Sequence, residues 1–188
     1  MTINQTRRYT DLSGVMREGL DPWDAKECAL RDGRAYLAST GIISAAINES
    51  VYVILSNPAD SGRDIFIDER WFDNNRASDT TPIEYTAFLN PTATLSQSAV
   101  SSNLRIGNGA NSAAVGAVTW QAGSGITMGG TQGSAAPLPT GGIRQTLQLA
   151  LILAPGNRLG FRIDGGGQNL QQSARIAMTF VWHEEVIT

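Results

Sequence analysis

The chain has 188 residues and a formal net charge of −3, with a pI of about 5.1. That length builds one ordinary domain without a metal or disulfide staple, the single cysteine, Cys28, rules out an intramolecular disulfide framework, and the mildly acidic balance offers nucleic acid no broad basic field. No apolar run approaches the ~20 residues a spanning helix needs, and the opening MTINQTRRYTDL lacks an apolar signal region, so the expectation is a soluble chain with no membrane partner, no nucleic-acid partner and no cofactor.

Residues 1–33 differ from the rest. Charges cluster at Arg7, Arg8, Arg17, Glu18, Asp21, Asp24, Lys26 and Glu27. Asp21-Pro22-Trp23-Asp24 has the chemistry of a helix start, with an N-cap carboxylate, proline at the first helical position and an acid in the first turn. A brief helix is expected from there through Leu30, stopped by Asp32-Gly33. The region reads as an N-terminal arm with little core of its own, ordered against a neighbouring subunit or else frayed.

From residue 34 to 188 the sequence reads as β-structure punctuated by Gly, Pro, Asn and Ser. Strands are expected near 34–39, 50–56, 63–72, 82–90, 115–120, 145–153, 158–164 and 174–184. Val51, Val53 and Leu55 alternate with Tyr52 and Ile54, so that strand is apolar on both faces and must be covered on both sides. In the next, Ile65, Ile67 and Trp71 alternate with Asp64, Asp68 and Arg70. The clearest pattern lies near the carboxyl end. Leu147, Leu149, Leu151 and Leu153 share one face, Leu159, Phe161 and Ile163 another, and Ile176, Met178, Phe180 and Trp182 a third. A period of two places one face on a core and the other toward solvent or a partner.

Ala154-Pro155-Gly156-Asn157 joins two of these strands. Proline supplies the preset φ of a type II turn and glycine its positive φ. Such a turn splays its flanking strands, which predicts that the chain crosses here from one sheet to another. Eight expected strands in a double sheet is the jelly-roll count. The fold expectation is therefore all-β, an antiparallel β-sandwich of jelly-roll type over 34–188, with the helix-bearing arm at 1–33. The stretches 91–114 and 121–144 are rich in Ser, Gly, Ala and Thr and nearly free of charge. They read as long loops that are either functional or mobile or, the favoured reading, lie against other subunits.

Chemistry-bearing residues are sparse. His183 is the sole histidine, so a nucleophilic triad would have one candidate base; beside Glu184 and Glu185 it reads as a surface side chain. One His and one Cys cannot build a structural zinc site. Asp60, Asp64, Asp68 and Asp73 invite calcium or a glycosidase pair, yet Asp64 and Asp68 on one extended strand stand ~13 Å apart, and solvated acids explain them better. Gly107-Asn108-Gly109, Gly129-Gly130 and Gly165-Gly166-Gly167 lack the Gly-Lys-Ser/Thr ending of a phosphate loop and read as turn glycines. Trp71 and Trp182 are expected in the core; Trp120 and Trp23 are freer to make contacts. No catalytic, cofactor or metal residue is assigned.

An arm, NPADSG after an apolar strand, a Gly/Ser/Ala-rich middle, LILAPGNRLGFRI and a last strand running into TFVWHEE together resemble small tailed-phage and virus virion proteins with a jelly-roll, tumour-necrosis-factor-like sandwich. The resemblance covers 34–185 and is one of layout. It implies a non-enzymatic structural protein of the virion, a capsid decoration or cement subunit that forms a homotrimer and contacts the major capsid protein. The alternative is a receptor-binding domain of a tail fibre or baseplate recognising host glycan. A carbohydrate-active or cupin-type enzyme is the third reading, disfavoured by the scarcity of histidine.

Overall fold

The structure is a computed structural model that describes residues 6–10, 16–20, 29–30, 32–74, 83–104, 113–138, 144–147 and 151–187. Among these the regular structure is almost entirely strand. The arm contributes β1 (Thr6–Thr10) and β2 (Met16–Leu20). The body follows with β3 (Ala35–Ser39), β4 (Ile43–Ala45), β5 (Ser50–Ser56), β6 (Arg63–Asn74) and β7 (Ile83–Leu89). Its middle holds β8 (Gln97–Ser98), β9 (Ser101–Asn103), β10 (Ala117–Gly123) and β11 (Thr131–Leu138). The chain ends with β12 (Arg144–Leu147), β13 (Leu151–Leu153), β14 (Arg158–Asp164) and β15 (Ala174–Val186).

Two antiparallel sheets make the body. One runs β11-β7-β14-β5-β10-β8; the other runs β12-β6-β15-β3-β9, with β13 also pairing β6 and β4 also pairing β15. Their inner faces share one apolar core. Val51, Val53, Leu55, Leu159, Phe161 and Ile163 come from the first sheet, and Ile65, Ile67, Phe72, Ile176, Met178, Phe180 and Trp182 from the second. Phe72 meets Phe161 edge to face across the interior, centroids 5.5 Å apart, a geometry that adds to simple burial.

The turn at 154–157 behaves as its residues predict. Gly156 has φ +82°, Asn157 N donates to Ala154 O at 3.0 Å, and β13 and β14 lie in different sheets. A second crossover, from β5 to β6, runs beside it. Buried Asn57 ties the two together: its Nδ2 donates to Arg63 O at 2.8 Å and to Leu153 O at 2.7 Å. Asn57 N donates to Asn157 O, and Gly156 N donates to Asn57 O.

Several expectations are corrected. Along β6 the pairing with β15 slips between Val181↔Glu69 and Trp182↔Ile67, so Asp68 is an extra residue and the pleat changes phase. Beyond it Arg70 and Phe72 turn inward, and Trp71, expected in the core, lies half-buried on the outer face with its Nε1 donating to Glu69 Oε2 at 3.2 Å. Within the strand expected at 145–153 the described residues form β12 and β13, both paired to β6, and 148–150 lie outside the described residues. Strands β1, β2, β4, β8, β9 and β11 lie where the sequence predicts no strand. Three of them fall in the stretches read as loops, and β11 is an exposed, uncharged edge with no apolar alternation to betray it.

Those stretches also pack on this chain. Leu95, Met128 and half-buried Ala93 and Ile126 join Tyr52, Ile54 and Phe88 in a second cluster on the outer face of the β5 sheet. Arg158 pins the covering segment, its Nη1 donating to Pro91 O and its Nη2 to Ala93 O at 2.8 and 2.9 Å. The double-sided apolarity of β5 is thus satisfied within one subunit. In the arm, β1 and β2 pair with each other. Of the expected helix, Ala29 and Leu30 are helical; the rest lies outside the described residues.

Candidate functional site

Polar groups converge where β15 leaves the core. Glu184 continues the inward row of Ile176, Met178, Phe180 and Trp182, so alternation alone drives its carboxylate inside, where it is 0% exposed. Such a charge persists only if its lone pairs are filled. Oε1 accepts from Val115 N at 2.8 Å, Gly116 N at 3.1 Å and Trp182 Nε1 at 3.1 Å, and Oε2 accepts from Arg63 Nη1 at 3.0 Å. Glu184 N and O also pair with Arg34, the O through Arg34 Nη1 at 2.8 Å. The carboxylate therefore joins β6, β15 and the segment entering β10, while the Glu184 backbone adds Arg34 just before β3. Gly116 makes the approach possible, since a Cβ there would meet Ile65 Cδ1 at 3.0 Å and Trp182 Cε2 at 3.1 Å.

His183, one residue earlier, faces the other side. It is not the surface side chain expected from the sequence: it is 4% exposed. Its ring stacks on Phe66 with centroids 4.9 Å apart, and Nδ1 lies 3.1 Å from both Asp68 carboxylate oxygens. Nε2 is buried without a hydrogen-bond partner and stands 3.9 Å from Glu185 Oε1. The bulge that releases Asp68 from the ladder is what aims it at the ring. Asp68 is accordingly a paired acid rather than a solvated one. This arrangement orients an imidazole, but no hydroxyl or thiol among the described residues is hydrogen-bonded to it.

The other residues weighed on sequence grounds do not converge. Asp60 is exposed in a turn, whereas Asp64 sits opposite Glu185 on the outer face. Among the described residues no three His, Cys, Asp or Glu side chains gather as metal ligands. Gly129, Gly130, Gly166 and Gly167 have positive φ, the turn role expected of them, and Gly167 N donates to Asp164 Oδ1 at 2.9 Å. Trp182 is fully buried, and Trp120 packs half-buried against the core. Cys28, Trp23 and Gly107-Asn108-Gly109 lie outside the described residues. Sequence reasoning missed Glu184, although the inward phase of β15 was signal enough to find it. What the residues assemble is a set of internal ties that fix loops to sheets. No protein-family model matches the chain, and no curated protein or solved structure is significantly similar to it.

Proposed function

We propose that the body is a jelly roll and that the protein is a non-enzymatic structural subunit of a virion, a capsid decoration or cement protein acting as a homotrimer against the major capsid protein. The observation that carries the jelly-roll reading is the strand order. Setting aside β4, β8, β9 and β10 and taking β12 and β13 as one strand, β3-β15-β6-β12 in one sheet faces β5-β14-β7-β11 in the other. With those eight labelled in chain order, the first pairs with the last, the third with the last and the sixth, and the second and fourth flank the seventh, as in a double Greek-key sandwich. That architecture is shared by capsid proteins, lectins and cupins, so fold alone does not choose among them.

Two features favour the structural role. Polar side chains such as Glu184, Asn57 and Arg158 hold loops in place. The β1-β2 hairpin is a separate two-stranded sheet, a unit marginal in water without further packing, and an arm of this kind gains order from a neighbouring subunit. A cyclic trimer would bring one patch against a different patch of the next copy. The test is the mass of the purified protein and its presence in intact particles. The proposal requires three times the 20.0 kDa chain mass and particles that lose stability without it. A monomer absent from particles overturns it, and glycan binding by a monomer would favour the receptor-binding alternative.

A further inference from the structure

The phase change in β6 leaves an arginine in the apolar interior. Arg70 is 4% exposed and stands between Phe180 of β15 and Leu147 of β12 in the ladder. Its Cζ lies 5.3 Å from the centroid of Phe161 in the facing sheet. Three other arginines have carboxylate partners: Arg34 has Asp32, Arg63 has Glu184 and Arg162 has Asp164. Arg70 has none among the described residues, and its buried Nε and Nη1 donate to nothing.

The cost of that arrangement is large. A buried ion keeps a desolvation penalty even after relaxation, and one cation–π contact offsets only part of it. Desolvation accordingly lowers the Arg70 pKa below its ordinary value, with Tyr85 opposing the change. A second unsatisfied group lies on the same inner surface. Gln145 is the β12 partner of Phe72, two residues along β6 from Arg70, so its side chain shares that face. Its Oε1 is buried without a partner. Because amide oxygen and nitrogen exchange places by a simple flip, Gln145 can equally present donors.

We infer that Arg70 is the base of an internal site for a small monovalent anion, chloride or a short carboxylate, held between the sheets on the β12 side with the Gln145 amide as a second donor. An anion there supplies the charge and the hydrogen-bond acceptor that the guanidinium lacks, and the apolar surroundings, where Phe72, Phe161 and Tyr85 pack on one another, favour a small, weakly hydrated ion.

The experiment uses the full chain and reads thermal unfolding at fixed ionic strength while gluconate is replaced by chloride or, separately, by acetate. Binding to the folded state alone raises the midpoint with the logarithm of free anion. The wild type should show that rise, and the anion acting at lower concentration identifies the occupant. R70M, which replaces the cation with an apolar chain in apolar surroundings, should fold and show no rise. Equal responses in wild type and R70M overturn the inference, as does no response in the wild type. Should R70M fail to fold, chloride-35 line broadening decides the matter with Q145L: affinity weakened about tenfold supports the site, and unchanged broadening refutes it.

Discussion

Glu184→Gln is the most informative single substitution because it keeps the shape and removes the charge. The wild-type carboxylate is fully buried and fills four hydrogen bonds, three on Oε1 and one on Oε2. An amide has one oxygen. Whichever way it turns, its NH2 faces either Arg63 or the donors of Val115, Gly116 and Trp182, so a donor meets a donor. Hydrogen bonds to a charged group contribute ~1.5–3 kcal/mol each, and breaking a buried charge pair costs ~3–5 kcal/mol. The expected loss is ~3–5 kcal/mol, or ~6–20 °C in midpoint for a chain of this size. The assay is urea unfolding with an unchanged slope, which separates lost stability from altered compactness. Arg63→Met strands the fully buried Glu184 carboxylate without its cation and should itself cost ~3 kcal/mol, the low end of that range because the arginine side chain is 27% exposed and partly screened by solvent. A Glu184→Gln protein within ~1 kcal/mol of wild type would refute the idea that this carboxylate ties the sheets to the segment entering β10.

Other outcomes follow from the same contacts. Asn57→Ala strips the donor from the Arg63 and Leu153 carbonyls and should cost ~2–4 kcal/mol, read as a lower urea midpoint; a neutral result would mean water replaces the side chain. Gly160→Ala places a Cβ 2.9 Å from Pro91 Cγ and 2.5 Å from Met128 Cε. It should lift the covering segment, at ~1–3 kcal/mol, and speed hydrogen exchange at Thr92 N and Ala93 N, which both donate to Met128 O. Unchanged protection there would count against that packing. His183→Ala removes the Phe66 stack and the Asp68 contact and should destabilise by ~1–3 kcal/mol, whereas a surface histidine would cost nothing measurable in the same assay.

What the sequence reveals and what it hides have physical causes. The inward rows of β14 and β15 and the double-sided β5 are legible because a two-residue period survives wherever one face is buried. The crossover at 154–157 is legible because proline and glycine fix backbone angles by themselves. The fate of Arg70, Trp71 and Asp68 is not, since a bulge is decided by the partner strand and one extra residue inverts every side chain beyond it. Strand β11 is hidden for the opposite reason: an edge that buries little carries no apolar rhythm. The burial of His183 was hidden too, because strand phase gives a side chain's face and not what covers that face. Glu184 was legible and went unread, its phase pointing inward while its charge suggested the surface.

The most direct measurement is density for the chain in intact particles, taken together with the mass of the isolated protein. The account predicts threefold clusters of two-sheet bodies on the particle, with residues 1–33 reaching a neighbouring subunit. A protein that is strictly monomeric in solution and missing from purified particles would contradict it.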